Sequence, residues 1–314
     1  RVTLLRVHRF DPNEVQFEDA LVSSAVIWLR KTAPPAEHEV EFTFGGSVAA
    51  PRISRKTPVS VISRESKWTR FPMAEARTAT KGARLGDFFT IKRGIATGGN
   101  EFFILSKERI VSLGLPIECF RPILPGPRFL TEDEVMTNGD GNPVIDRLLF
   151  LLNCRLPETE IQTRYPALWR YLQSGKPEVA GRYLCRHRTP WYAQEDRPPT
   201  PFVCTYIGRG DAKNGRPFRF ILNHSQATAA NVYLLLYPKA ALARALAQDA
   251  SLSRKLWQAL TQIDAHELLA EGRVYGGGLH KLEPSELAQA PADGILAMLP
   301  IQTELSVQQM LPFE

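Results

Sequence analysis

The sequence predicts an α+β protein, and three observations carry that prediction. Short runs alternate at strand spacing, as in Glu39–Phe44 (EVEFTF). Other stretches have helical spacing and composition, as in the Ala-, Leu- and Gln-rich segment 239–270. The 24 Pro and 21 Gly are spread along all 314 residues, so turns punctuate the elements throughout. At 44% hydrophobic the chain can bury a sizeable core, and its length suggests two domains or one with an appendage. No apolar run approaches the roughly 20 residues of a membrane-spanning helix. Collagen, coiled coil and wholesale disorder are excluded by composition as well.

In chain order, Val2–His8 and Val22–Arg30 read as two strands joined by a polar loop. The second is almost continuously apolar, which predicts a strand buried on both faces. Glu39–Phe44 follows, broken by Gly45-Gly46. Two more strands flank a Gly-rich turn over 84–105, and a short helix capped by Ser106 is expected at Lys107–Leu113. Four prolines between 116 and 127 force an extended path. Asn138-Gly-Asp-Gly-Asn marks a loop tip, Val144–Leu152 a strand and Glu158–Ser174 a helix. Asn231–Tyr237 reads as a strand, and Lys239–Ala270 as two helices. The sequence starts with Arg1 inside a strand-like pattern, which suggests a chain cut from something longer and, with no leader pattern, a cytoplasmic location.

Charge is unevenly placed. The formal net charge is 39 − 33 = +6, yet residues 51–94 alone hold 11 Lys+Arg against 3 Asp+Glu. Residues 181–219 hold 8 against 3, with Trp191, Tyr192, Phe202, Tyr206 and Phe218 among them. Cations interleaved with aromatic faces suit nucleic acid: guanidinium for phosphates or guanine edges, rings for stacking. A solvated linker for the first segment, and core aromatics ringed by arginines for the second, are the plainer alternatives.

Searches for catalytic chemistry are mostly negative. Gly276-Gly-Gly278 lacks the Lys-Ser or Lys-Thr of a phosphate loop, and reads as close backbone approach. There is no Gly-x-Ser-x-Gly and no His-Glu-x-x-His. Cys119, Cys154, Cys185 and Cys204 fit no zinc spacing and read as reduced, buried thiols, so no metal is expected. Glu158/Glu160 and Glu195-Asp196 read as surface carboxylates.

Three segments carry a family resemblance. Phe17-Glu-Asp-Ala-Leu-Val-Ser-Ser-Ala-Val-Ile-Trp-Leu-Arg-Lys resembles the closing strands of the catalytic domain in N6-adenine DNA methyltransferases of restriction-modification systems. Leu85-Gly-Asp-Phe-Phe-Thr-Ile-Lys-Arg-Gly-Ile-Ala-Thr-Gly is similar to the start of their target-recognition domains. Gly272-Arg-Val-Tyr-Gly-Gly-Gly-Leu-His-Lys-Leu-Glu-Pro-Ser-Glu-Leu is similar to the end of that domain.

The resemblance implies a terminal β-hairpin of a methyltransferase sheet over 1–50, a basic linker over 51–83 and a mixed α+β DNA target-recognition domain over 84–314. It implies that Phe17 stacks on a base flipped out of the duplex. Charge and resemblance together nominate Arg52, Arg55, Lys56, Lys92, Arg93, Lys213, Arg216 and Arg219 as DNA contacts, with Thr97, Asn100 and His280 as polar ones. The implied partners are double-stranded DNA, the missing N-terminal catalytic domain and restriction-modification partner subunits, with no membrane. Neither Asn-Pro-Pro-Tyr nor Asp-Pro-Pro-Tyr occurs, and no Gly-rich strand–helix turn for S-adenosylmethionine. Catalysis and cofactor binding are therefore expected only in a full-length enzyme. The competing expectation is a non-catalytic DNA-specificity subunit, although no second recognition domain or long helix is visible. A nuclease with scattered carboxylates and a plain protein-interaction domain are further alternatives.

Overall fold

A computed structural model describes residues 2–14, 16–19, 22–65, 67–72, 82–209, 217–275 and 278–298. The chain folds as two compact α+β units, of which neither is continuous in sequence. The first comprises Arg1–Ala83, Ile207–Pro217 and Asp264–Leu282; the second comprises Arg84–Tyr206, Phe218–Ile263 and Glu283–Glu314. The span expected as one domain over 84–314 thus contributes two excursions to the first unit.

In the first unit, β1 (Thr3–Arg9), β2 (Ala25–Arg30), β3 (Glu39–Gly46) and β4 (Pro51–Pro58) form a sheet in the order β2-β1-β3-β4. β1 and β3 are parallel; the other neighbours are antiparallel. The alternation read at 39–44 becomes β3, whose Val40 and Phe42 enter a core with Val7, Ile62 and Phe71. The expected linker begins differently: Pro51–Pro58 pairs with β3 along its whole length. Its alternation is hidden in sequence because both faces of this edge strand are exposed and charged. Gly45 and Gly46, expected to break β3, are its last two residues, with Gly46 paired to Pro51 ahead of the connection at 47–50. Both hold positive φ, +62° and +68°, and a Cβ on Gly46 would lie 2.6 Å from the Ala50 carbonyl oxygen.

β2 corrects a second expectation. It is an edge strand, and Ile27 and Leu29 are 55% and 56% exposed instead of buried on both faces. A smaller sheet of the same unit has the order Ile207–Arg209, Leu279–Lys281, Arg273–Tyr275.

The described residues of the second unit hold two sheets. One runs β5 (Phe89–Arg93), Tyr233–Pro238, Phe202–Thr205, Phe220–Asn223, Glu134–Val135. The other runs Thr228–Ala229, Phe120–Leu124, Leu149–Leu152, Ile104–Ser106. Leu124, Val135, Val203, Ile221, Ala229 and Leu235 pack into one cluster that both sheets feed. A second cluster joins Ile123, Leu151 and Leu152 to Ile161, Leu168 and Leu172 of the helices Glu158–Arg164 and Pro166–Gly175. The single helix expected at 158–174 breaks at Tyr165 because Pro166 has no N–H to continue it. Lys107–Ser112 is helical, and Ser106 Oγ accepts from the Arg109 N–H as a cap. Gly94 is required by close approach: a Cβ there would stand 2.2 Å from the Ala230 carbonyl oxygen. The segment 239–270 contains three helices, Ala240–Gln248, Leu252–Thr261 and Ala265–Glu271, where two were expected. No described helix is long and apolar enough to cross a membrane.

Candidate nucleic-acid interface

Phe17 lies in the loop between β1 and β2 and is 48% exposed. That loop is built by Asp11, whose carboxylate accepts the Asn13 N–H at 2.9 Å and whose carbonyl accepts the Glu14 N–H at 2.9 Å. Arg52 reaches over from β4 and ion-pairs with Asp11 at 3.1 Å and with Glu14. Its guanidinium therefore organises the loop carrying Phe17. Lys56 is exposed on β4, with Glu41 of β3 directly opposite in register, and Arg55 is exposed one residue away on the other face of the strand.

On β5, Lys92 and Arg93 project to opposite faces. Lys92 Nζ lies 5.9 Å from the Tyr237 ring centroid. Arg93 stacks 4.1 Å above Tyr206 and donates through Nε to the Asn231 carbonyl at 3.0 Å. Cation–π contact and a backbone acceptor both hold this guanidinium against its own unit.

Thr97 is only 1% exposed, so it offers no surface for a base. Its hydroxyl donates to Asn100 Oδ1 at 2.6 Å and accepts the Gly99 N–H at 3.0 Å, fixing the Gly98-Gly99 turn. Asn100 is exposed at the end of that turn. The turn is clamped from the other side by residues that charge counting alone did not single out. Arg188 donates to the carbonyls of Ala96 and Thr97 at 2.5 and 2.8 Å, and Arg182 to that of Gly98 at 3.3 Å.

Arg219 is a structural clamp too. It donates to the carbonyls of Pro127, Leu130, Thr131 and Glu132 over 2.8–3.4 Å and to Asp133 Oδ1 at 2.8 Å. Its planar fork matches a curved loop of acceptors, a task an ammonium cannot perform. Lys213 and Arg216 lie outside the described residues, as do Gly276 and Gly277. His280 sits half-buried on Leu279–Lys281, with Nδ1 buried and without a hydrogen-bond partner. Burial holds its pKa below the ordinary imidazole value.

Of the aromatics singled out at 181–219, Tyr192, Phe202, Tyr206 and Phe218 are core residues, and Trp191 is partly buried against Tyr192, Phe102 and Phe103. All four cysteines are buried and free. Among the described residues no cluster of His, Cys, Asp or Glu could hold a metal ion. Glu158, Glu160 and Glu195 pair with Lys176, Arg164 and Arg197 at the surface. Among the described residues the arrangement offers exposed cations and a few exposed rings, Phe17 among them, with no acid–base or nucleophilic constellation.

The comparisons with known proteins bear on that arrangement. Type II methyltransferase M.XamI of Xanthomonas campestris pv. amaranthicola is 27% identical over 231 residues, covering 73% of this chain and 40% of that protein. Type II methyltransferase M.AccI of Acinetobacter calcoaceticus is 25% identical over 234 residues, with the same coverage of 73% and 40%. The chain thus spans two fifths of the length of these curated relatives. A structure of the Type IIL restriction-modification enzyme MmeI in complex with DNA aligns with TM-score 0.43 and 12% identity, over 81% of this chain and 32% of that one. Residues 66–307 match the family model described as the C-terminal domain of Type II methyltransferase M.Eco57I. The match takes in more than half of the sequence, and the chain belongs to that family of methyltransferase C-terminal domains.

Proposed function

We propose that this chain is the DNA-recognising end of an S-adenosylmethionine-dependent adenine-N6 DNA methyltransferase of a restriction-modification system. The observation that carries the reading is the family match over residues 66–307 in a chain whose sequence lacks the catalytic Pro-Pro-Tyr motif. A domain of that family with no reaction centre of its own fits the task of placing DNA for a catalytic domain. Exposed cations, Lys56 and Lys92 among them, supply the sequence-independent attraction to phosphates, and side chains at loop tips would read base edges.

In this reading S-adenosylmethionine belongs to the catalytic domain of the full-length enzyme. What the chain brings to the reaction is Phe17. Methyl transfer to a base amino group requires the base to leave the stack, and an exposed ring on a loop braced by Arg52 suits the wall of the receiving pocket.

The test is methyl transfer by the full-length protein, with the modified base identified by mass spectrometry. N6-methyladenine is the expected product. Phe17→Ala is expected to reduce turnover about tenfold or more, and Phe17→Trp to restore most of it, because stacking on a flipped base survives that exchange. A methylated cytosine would overturn the adenine assignment, and equal turnover by wild type and Phe17→Ala would remove Phe17 from the pocket.

A further inference from the structure

Two exposed aromatic side chains in the second unit carry a guanidinium against the ring. Arg147 lies 4.3 Å from the Phe129 centroid, and Arg186 lies 5.4 Å from that of Tyr183. Charge separates the two sites. Residues 126–147 hold Arg128 and Arg147 against Glu132, Asp133, Glu134, Asp140 and Asp146, a balance of 2 − 5 = −3. Residues 176–190 hold Lys176, Arg182, Arg186 and Arg188 against Glu178, a balance of 4 − 1 = +3. Ion pairs offset part of each balance, Asp133 with Arg219, Glu134 with Arg254 and Lys176 with Glu158, and by formal charge it is the second segment that suits a polyanion.

The second surface is also firmly built. Tyr183 opens the short helix Tyr183–Arg186 and is 68% exposed. The His187 ring lies 4.5 Å away, and its Nδ1–H donates to the Tyr183 carbonyl at 2.6 Å. Behind them, Arg182 and Arg188 tie this segment to the carbonyls of the 96–98 turn. There is no slack between the two: a Cβ on Gly98 would stand 2.9 Å from Cys185 Sγ. An exposed ring on a rigid backing loses little entropy when it is covered, and its neighbours are cations.

We propose that Tyr183, Arg186 and His187 form a contact platform for double-stranded DNA. The Tyr183 ring packs on a sugar or base face, and the Arg186 guanidinium meets an adjacent phosphate. The inference rests on the DNA-recognition reading above and adds a contact that the sequence candidates did not include.

Fluorescence anisotropy of the 314-residue chain with labelled duplex DNA, over a salt series, tests it. Tyr183→Ala is expected to weaken binding about tenfold while Tyr183→Phe binds as wild type. Arg186→Ala is expected to reduce the slope of log K against log salt by about one. Phe129→Ala, at the acidic surface, is expected to leave affinity unchanged. Circular dichroism melts that superimpose establish that each variant is folded. If wild type binds duplex and both the Tyr183→Ala and Arg186→Ala variants bind equally well, the platform is wrong and the DNA reading stands. If wild type binds no duplex, both fail together.

Discussion

β2 and the strand Tyr233–Pro238 carry nearly the same message in sequence and meet opposite fates. Ala25–Arg30 reads AVIWLR and Tyr233–Pro238 reads YLLLYP, both almost continuously apolar. The second lies between β5 and Phe202–Thr205 and buries Tyr233, Leu234, Leu235 and Leu236. Among the described residues the first hydrogen-bonds on one side only, to β1, and leaves Ile27 and Leu29 more than half exposed. An apolar run therefore specifies a strand, while burial depends on whether other elements flank and cover it. β2 presents apolar surface of the kind that marks an interaction site, consistent with the proposed place of this chain beside a catalytic domain.

The largest expected consequence of that difference is in the buried strand. Leu235 is 1% exposed and packs in the cluster that both sheets of the second unit feed. Leu235→Ala is expected to cost about 3 kcal/mol, because the neighbouring strands relax only partly into the cavity. Urea denaturation followed by circular dichroism measures it, and a loss below about 1 kcal/mol would mean the cluster is loosely packed.

A similar contrast separates arginines that were equivalent in sequence. Arg219 was nominated for DNA because of its basic, aromatic surroundings, yet its guanidinium is engaged by the loop from Pro127 to Asp133. Arg219→Ala is expected to destabilise the chain by about 2 kcal/mol through lost charged hydrogen bonds. Arg219→Lys is expected to lose nearly as much, since one ammonium cannot serve the same acceptors. Paired melts and DNA titrations separate the roles: Arg219→Lys that melts like wild type, with DNA affinity reduced only in Arg219→Ala, would make it a phosphate contact instead.

Much of the local structure was legible because its causes are local. The Ser106 cap and the alternation of Glu39–Phe44 each depend on a few adjacent residues. The strand at Pro51–Pro58 was not legible, because an edge strand exposed on both faces has no alternation to read. Site residues were harder still. Charge density located basic segments, but the destination of each guanidinium depends on carbonyls and carboxylates distant in sequence. Arg52 meets Asp11, 41 residues away, and Arg188 meets Ala96, 92 residues away. Thr97 resembled a polar reader in a flexible loop, and the same Gly-rich turn that suggested flexibility is what buries it.

The smallest expected effect sharpens the comparison most. Ile27 is 55% exposed on β2, so Ile27→Ala in the 314-residue chain is expected to change stability by no more than about 0.5 kcal/mol. Leu235→Ala removes a comparable side chain from an equally apolar strand, which makes the pair a direct measure of what coverage contributes. The same Ile27→Ala change in a longer polypeptide carrying the proposed catalytic domain gives a different expectation. If that domain packs on β2, the substitution cuts into a buried interface and the loss rises to about 1 kcal/mol or more, as for a buried aliphatic group shortened within a core. Equal, small losses in both contexts would leave β2 as a solvent-facing edge and require the catalytic domain to dock elsewhere.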